Sequence, residues 1–514
     1  MNIMLLIQAK PDWQVLAQDA ARLLMPEMLV ILFACFVLVL EFMLTPEQRR
    51  WAAYLSLAGL GAAGLSLALM FVKFTTAEVG FYEMVVVDGF ALVFKVIFLL
   101  AAIFTIALSI KFLDVENEQR GEYYSLILFA TAGMMFMASG ADLLSIFISF
   151  ELMALTTYIL VAYLKRDRRS NEAAMKYFLL GIFSSGIFLY GMSLIYGLTA
   201  ETNLTKIADT LARLARQQAP QATGFVAMAG MIFIAAAMFF KIAAVPFHMW
   251  CPDAYEGAPT SVTAFMSVGP KAAAFAIFAR IFIDGLPGLR GDLTGESFGW
   301  VGLLAIVSAL TMTWGNIAAL TQNSAKRLMA YSSISHAGYL LLGLIAGNET
   351  GYIGLVIYLF VYVFMNLGAW GVIVAQRRAS ILGERVDDFN GLIHRSPGMA
   401  VMMTIFLLSL TGIPPTAGFV GKYFLFAGLI ETGNAWLIAL CVLAVINTAI
   451  SLYYYARFIK AMFMSDVKEE EPLALSTSLR ATLVTATVMV LLVGVYPRPF
   501  IAFTENATRH LLGL

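Results

Sequence analysis

Apolar stretches about twenty residues long follow one another along most of the chain, separated by short clusters of charge, glycine and proline. A spanning helix needs about 20 mostly apolar residues to cross hydrocarbon roughly 30 Å thick. By that measure the sequence predicts fourteen membrane helices, over 24–44, 51–72, 89–111, 123–139, 142–164, 173–198, 225–250, 259–283, 299–321, 327–346, 351–375, 399–430, 435–460 and 479–496. Three carry helix breakers. The eighth contains Gly269 and Pro270, the twelfth contains Gly412, Pro414, Pro415 and Gly418, and the seventh ends near Pro246, five residues after Lys241. Proline lacks the backbone donor and clashes with the carbonyl four residues earlier, so each point is expected to break or kink its helix. Broken helices persist at membrane depth only where protein or a wet cavity satisfies the freed backbone groups, which points to a transport path. Between spans, 199–224 is the one connection with a pattern of its own. Its Leu204, Ile207, Leu211 and Leu214 spacing predicts an amphipathic surface helix.

Composition narrows the class. The 514 residues are 61% hydrophobic and 13% charged, against about a quarter charged in soluble domains, so the expected fold is all-α and polytopic, as one integral membrane domain. Lys plus Arg and Asp plus Glu balance at 33 each, which leaves no cationic footprint for nucleic acid. Cys35, Cys251 and Cys441 are far apart and share no metal-ligand spacing, so neither a disulfide framework nor an iron-sulfur or zinc site is expected. Met1 to Ala20, with Lys10, Asp12 and Asp19, lacks the pattern of a removable leader. Basic residues favour the odd-numbered loops, with Arg49, Arg50, Arg120, Lys165, Arg166, Arg168, Arg169, Lys326, Arg377, Arg378, Arg385, Arg395 and Lys468; the even loops hold mainly Lys73, Lys206, Arg213, Arg216 and Arg290. The positive-inside rule then places the odd loops in the cytoplasm and both termini outside.

Ionisable residues inside the spans carry the chemistry, because a charged side chain at the bilayer centre costs about 2.5–3.5 kcal/mol even on lenient scales. Glu151 lies nine residues after Asp142, about 14 Å into the fifth span at 1.5 Å per residue. Lys241 follows the apolar run Met231 to Phe240, with Trp250 beyond it as an expected interface anchor. Lys271 follows the Gly269–Pro270 breaker, and Lys422 lies in the interrupted twelfth span. A lysine held away from water binds its proton less firmly and a nearby carboxylate restores that hold, so moving the partner loads or unloads the site. With Glu151 beside Lys241, the set reads as a lateral proton relay through Lys271 and Lys422, with His336 in YSSISHAGY as a link. A structural ion pair accounts for one glutamate and one lysine, but not for three lysines at one depth. His336 reads equally well as a hydrogen-bonded core histidine, and His248 as a structural or interfacial one.

The run KIAAVPFHMWCPDAYEGAPTSVTAFMSVGPKAA (Lys241–Ala273), SFELMAL around Glu151, SAKRLMAYSSISHAGY (Ser324–Tyr339) and LTGIPPTAGFVGKYF (Leu410–Phe424) resemble the signatures of the antiporter-like subunits of respiratory complex I and of multi-subunit cation/proton antiporters. Two departures separate the chain from branches of that family. Subunit M typically has a glutamate where Lys422 stands, and subunit L continues into a long lateral helix for which Leu514 leaves no room. The resemblance implies two inverted five-helix repeats, about 123–283 and 299–460, each with a discontinuous helix. It implies proton translocation driven by electron transfer from NADH to quinone, with Glu151 tuning Lys241, Lys271 connecting, Lys422 as the exit-side station, and His336 a looser assignment. It also implies no redox cofactor in this chain: NADH, FMN, iron-sulfur clusters and quinone belong to partner subunits. The implied neighbours are subunit M and the small membrane subunits, in a bacterial inner membrane. A free cation/proton antiporter, a membrane-bound hydrogenase and a structural scaffold are the competing readings.

Overall fold

The computed structural model describes residues 12–74, 76–217, 220–291, 299–377, 383–467 and 476–511. Lys10, Arg378 and Lys468, used above for the leader and orientation readings, lie outside these residues. The helices are α1 (Trp13–Leu23), α2 (Met25–Glu41), α3 (Arg50–Lys73), α4 (Gly89–Glu116), α5 (Gly121–Ser139), α6 (Leu143–Val161), α7 (Arg168–Thr199), α8 (Leu204–Arg216), α9 (Gln221–Ile242), α10 (Trp250–Gly257), α11 (Thr260–Ala279), α12 (Trp300–Leu320), α13 (Ala325–Ala346), α14 (Glu349–Gln376), α15 (Pro397–Thr411), α16 (Ala417–Glu431), α17 (Ala435–Met464), α18 (Thr477–Val495) and α19 (Arg498–Leu511). A short hairpin of β1 (Glu78–Gly80) and β2 (Val85–Val87) sits between α3 and α4.

Among the described residues, eleven helices are long and apolar enough to cross a membrane, or twelve if α1 and α2, bent by 91° to each other, form one broken span. The expected count of fourteen also included 123–139 and 399–430. The helix at the first of these, α5, is not among the eleven, and the second is divided into α15 and α16, each 15 residues long. The chain is therefore a multi-pass membrane protein with all-α spans.

The proline positions behave differently from one another. At Pro246 the chain leaves helical geometry after Ile242 and resumes it at Trp250, and at Pro414–Pro415 it does so between Thr411 and Ala417. The expected break at Gly269–Pro270 does not occur: α11 runs unbroken through Pro270. The carbonyl that Pro270 leaves without its helical donor is that of Met266, and the Tyr255 hydroxyl donates to it at 3.2 Å. A side chain from α10 thus repairs the ladder.

The helices α11, α13 and α14 are wrapped by the others, whereas α7 turns Leu179, Phe183 and Tyr190 outward. The odd-numbered loops gather on one face, stitched by Arg50–Asp114 (3.0 Å), Arg377–Glu116 (2.6 Å), Arg169–Glu384 (3.1 Å) and Lys326–Glu384 (3.3 Å). There Arg327 bridges Asp253 and Glu256 of α10, both at 2.9 Å, tying α13 to the outer half of the broken helix. The opposite face carries the hairpin and α8, whose Leu204 and Ile207 are buried, with Lys206 paired to Glu83 at 2.7 Å. The outermost described helices pack on this same face through Arg22–Glu78 and Arg509–Glu349.

Candidate proton relay

Helix α6 begins at Asp142, whose carboxylate accepts from the Leu144 amide (2.8 Å) and the Thr202 hydroxyl (2.6 Å). Glu151 is the ninth of its 19 residues, hence at the middle of the span. It is half-buried and accepts a hydrogen bond from Ser185 of α7 at 2.5 Å. Lys241 is in the last turn of α9, which ends on Ala243 in the left-handed region (φ 58°). Its ammonium donates to the Tyr158 hydroxyl at 3.3 Å and lies 4.4 Å from the centre of the Phe150 ring. Glu151 and Lys241 are brought to neighbouring side chains of α6 but do not form an ion pair within 4.0 Å. The carboxylate therefore acts on this lysine at a distance, with Tyr158 as the direct partner.

Trp250, expected at the membrane interface, is instead buried: it stacks on Tyr177 with ring centres 4.5 Å apart, and its indole N–H donates to the Phe240 carbonyl at 2.8 Å. The break after Lys241 folds the chain back so that Trp250 packs against Tyr177 and Phe240. Tyr158, Tyr177, Trp250 and Tyr255 then form a run of ring contacts, at 4.6, 4.5 and 6.1 Å, that ends on Lys271.

From Lys271 onward the path is polar. Lys271 donates to the carbonyl (2.9 Å) and hydroxyl (2.6 Å) of Ser333 on α13. One turn further, His336 Nδ1 meets the Tyr358 hydroxyl at 2.7 Å and Nε2 the Tyr455 hydroxyl at 3.4 Å, and Tyr455 also bonds Ser332. One turn beyond that, the Tyr339 hydroxyl accepts from Thr448 at 3.1 Å, and the Tyr339 ring faces Lys422, whose ammonium is 4.5 Å from its centre. Ser333, His336 and Tyr339 are spaced three residues apart, so one side of a buried helix spans the distance between two lysines. Lys422 donates to the carbonyls of Thr411 (2.8 Å) and Leu410 (3.3 Å), the last turn of α15. A helix C-terminus carries unpaired carbonyls and about half a negative charge, so the break supplies the anion-like cage that a carboxylate would otherwise provide. Lys241, Lys271, His336 and Lys422 are each 3% exposed.

The fold thus brings the three lysines, His336 and Glu151 to the breaks or the central helices. Sequence reasoning missed their partners, Tyr158, Ser185, Ser333, Tyr358, Thr448 and Tyr455, because hydroxyls in apolar helices are common and the pairing is made between helices. It also missed two buried ion pairs, Glu27–Lys95 (2.6 Å) and Arg280–Asp88 (2.7 Å). Lys95 did have a signal, a lysine seven residues into an apolar span.

Gly181 allows Tyr158 to reach Lys241, since a Cβ at Gly181 would overlap the Tyr158 hydroxyl. Gly181→Ala is expected to displace that hydroxyl and slow proton transfer roughly three- to tenfold, a barrier change of about 0.7–1.4 kcal/mol. Overpacking there costs about 1–3 kcal/mol of stability. Gly186→Ala on the same helix, where a Cβ meets nothing within 4 Å, provides the control. Vesicle acidification at equal protein content reads the difference.

The family profile described as NADH:quinone oxidoreductase/Mrp antiporter, TM, matches residues 140–448, which include Glu151, His336 and the three lysine candidates. NADH-quinone oxidoreductase subunit N 1 of Koribacter versatilis is 48% identical, covering 95% of each chain, and subunit N 2 of Solibacter usitatus is 46% identical, covering 94% of this chain and 96% of its own. A chain of respiratory complex I from Thermus thermophilus superposes with a TM-score of 0.76 at 32% identity, covering 93% of this chain and 99% of that one. The chain belongs to the NADH-quinone oxidoreductase subunit N family of antiporter-like membrane proteins.

Proposed function

We propose that this chain is a proton-translocating membrane subunit of an NADH-quinone oxidoreductase, and that Glu151, Lys241, Lys271, His336 and Lys422 form its relay. The observation that carries the reading is the row Lys271, Ser333, His336, Tyr339 and Lys422, buried along one helix between two lysines, with the half-buried Thr448 of α17 joining Tyr339 to Lys422. Hydroxyls and imidazole both donate and accept, so a proton entering at one lysine is passed along the row, with water bridging Ser333 to His336 and His336 to Tyr339, which share no hydrogen bond. The ring-lined stretch between Lys241 and Lys271 needs water to complete it, and its opening and closing is the gate. Two inverted repeats, 123–283 and 299–460, give each half one discontinuous helix, the architecture in which half-helix ends face a site near the bilayer midplane.

Redox chemistry belongs to partner subunits that carry NADH, FMN, iron-sulfur clusters and quinone. Glu151 supports a membrane-arm partner on one side. A carboxylate half-exposed at mid-span is costly against lipid, so the α6–α7 face is covered in the assembly. Subunit M and the small membrane subunits are the neighbours this reading assigns. In a bacterial inner membrane, the face stitched by Arg50, Arg169, Lys326 and Arg377 is cytoplasmic and both termini are periplasmic.

Affinity purification of the full chain from native membranes is expected to recover subunits bearing FMN and iron-sulfur clusters, with NADH-driven quinone reduction. Recovery with antiporter subunits alone, and sodium-dependent proton flux without NADH oxidation, would overturn the assignment in favour of a free antiporter.

A further inference from the structure

A buried carboxyl–amine pair lies outside the relay. Glu27, the third residue of α2, and Lys95, the seventh of α4, meet at 2.6 Å with both side chains 0% exposed. Beyond that contact, neither carboxylate oxygen nor the ammonium has a hydrogen-bond partner among the described residues. Seven residues before Lys95, on the same side of α4, Asp88 caps the helix through the Ala91 amide and holds Arg280 at 2.7 Å. The two ion pairs are therefore about 10 Å apart along α4, and they lead inward from the face that carries the hairpin and α8. Helix α4 packs against α11, which bears Lys271, so one helix contact separates this pair from the relay.

Stability does not explain the pair. Desolvating two ions is repaid by their attraction only when further hydrogen bonds satisfy them, and an apolar pair of similar size is often neutral or better. Ionisable residues retained inside a membrane span mark proton or ion paths by default. In a dry site, proton transfer from Lys95 Nζ to Glu27 breaks one N–H bond and forms one O–H bond without changing the net charge. The neutral amine then takes one proton from a hydronium ion arriving from the hairpin face, which becomes water, and the pair holds lysine ammonium beside protonated carboxyl, one charge more positive. Release of that proton and return of the other restores the ion pair.

We propose that Glu27–Lys95 is a further proton-holding site, loaded from the hairpin face and distinct from the row between Lys241 and Lys422. The proposal rests on the proton-translocating reading. Its test is the infrared difference spectrum between resting and NADH-energised complex, with the assembled enzyme in vesicles. A protonated-carboxyl band is expected in the unmodified complex, shifted in Glu27→Asp, and lost both in Glu27→Gln and in the charge-free double variant Glu27→Leu/Lys95→Met. The double variant leaves no lone buried charge, so its assembly is expected, and its ratio of protons moved per NADH is expected to fall. A difference spectrum identical in every Glu27 variant, Glu27→Asp included, would overturn the proposal and leave the pair a packing contact. Lys241→Ala separates the two readings: normal pumping there removes the relay, while the Glu27 band alone decides this site.

Discussion

Lys241→Ala in the assembled complex is expected to lower NADH-driven proton translocation at least about tenfold, more than about 1.4 kcal/mol on the transfer barrier, while the chain still folds. In the proposed relay Lys241 is the station at the first helix break, and its direct partner is the Tyr158 hydroxyl. Removing it leaves Glu151 and Ser185 on one side and Lys271 on the other, with a run of rings between them. Lys241→Arg distinguishes a proton carrier from a fixed charge. A guanidinium keeps its proton at any physiological pH, so the variant preserves the charge and removes the exchange. Both variants are expected to fail in vesicle acidification scaled to uncoupled NADH oxidation. Glu151→Gln is expected to fall by a smaller factor, about threefold, because the carboxylate acts on Lys241 without touching it. Normal pumping in Lys241→Arg would remove the exchange role.

The parts of the molecule legible in its sequence are those set by one helix at a time. Lys241, Lys271 and Lys422 are visible because a lysine inside a long apolar run has a desolvation cost that needs a reason. The breaks near Pro246 and Pro414 are visible because proline removes a local hydrogen bond. Pro270 shows the limit of that rule. Whether a proline breaks a helix depends on what answers the freed carbonyl, and the answer at Met266 is Tyr255, a residue fixed by the fold of α10. The same limit holds for Trp250, whose burial against Tyr177 depends on the turn after Lys241. Glu27 hides for another reason: it follows Pro26 at the edge of its apolar run, where a charge reads as a boundary, and only packing against Lys95 makes it a buried ion.

The expected role of carboxylates also changes with the structure. A lysine toggled by a nearby glutamate describes Lys241 in part, but Lys271 and Lys422 are held by carbonyls and hydroxyls. Helix ends and serine take the place of acidic partners. Neutral partners hold an ammonium less tightly than a carboxylate does, so less energy is needed to discharge it.

Lys422→Ala is expected to stop translocation through the second half of the chain, again at least about tenfold, and Gly412→Ala is expected to approach that loss without removing any ionisable group. Gly412 ends α15 with φ at 91°, the left-handed conformation that frees the Leu410 and Thr411 carbonyls to face Lys422. A Cβ there would stand 2.9 Å from Lys422 Cδ, and the backbone conformation itself costs a non-glycine residue about 1–3 kcal/mol. Two effects are therefore mixed, and Gly433→Ala separates them: Gly433 also has positive φ, 66°, but a Cβ there meets nothing within 4 Å. Thermal unfolding of the purified complex is expected to shift in both variants, whereas proton translocation falls only in Gly412→Ala. Equal pumping in the two would show that the carbonyl cage around Lys422 is not part of the conduction path, because only the Cβ at Gly412 meets Lys422, whose ammonium donates to those carbonyls.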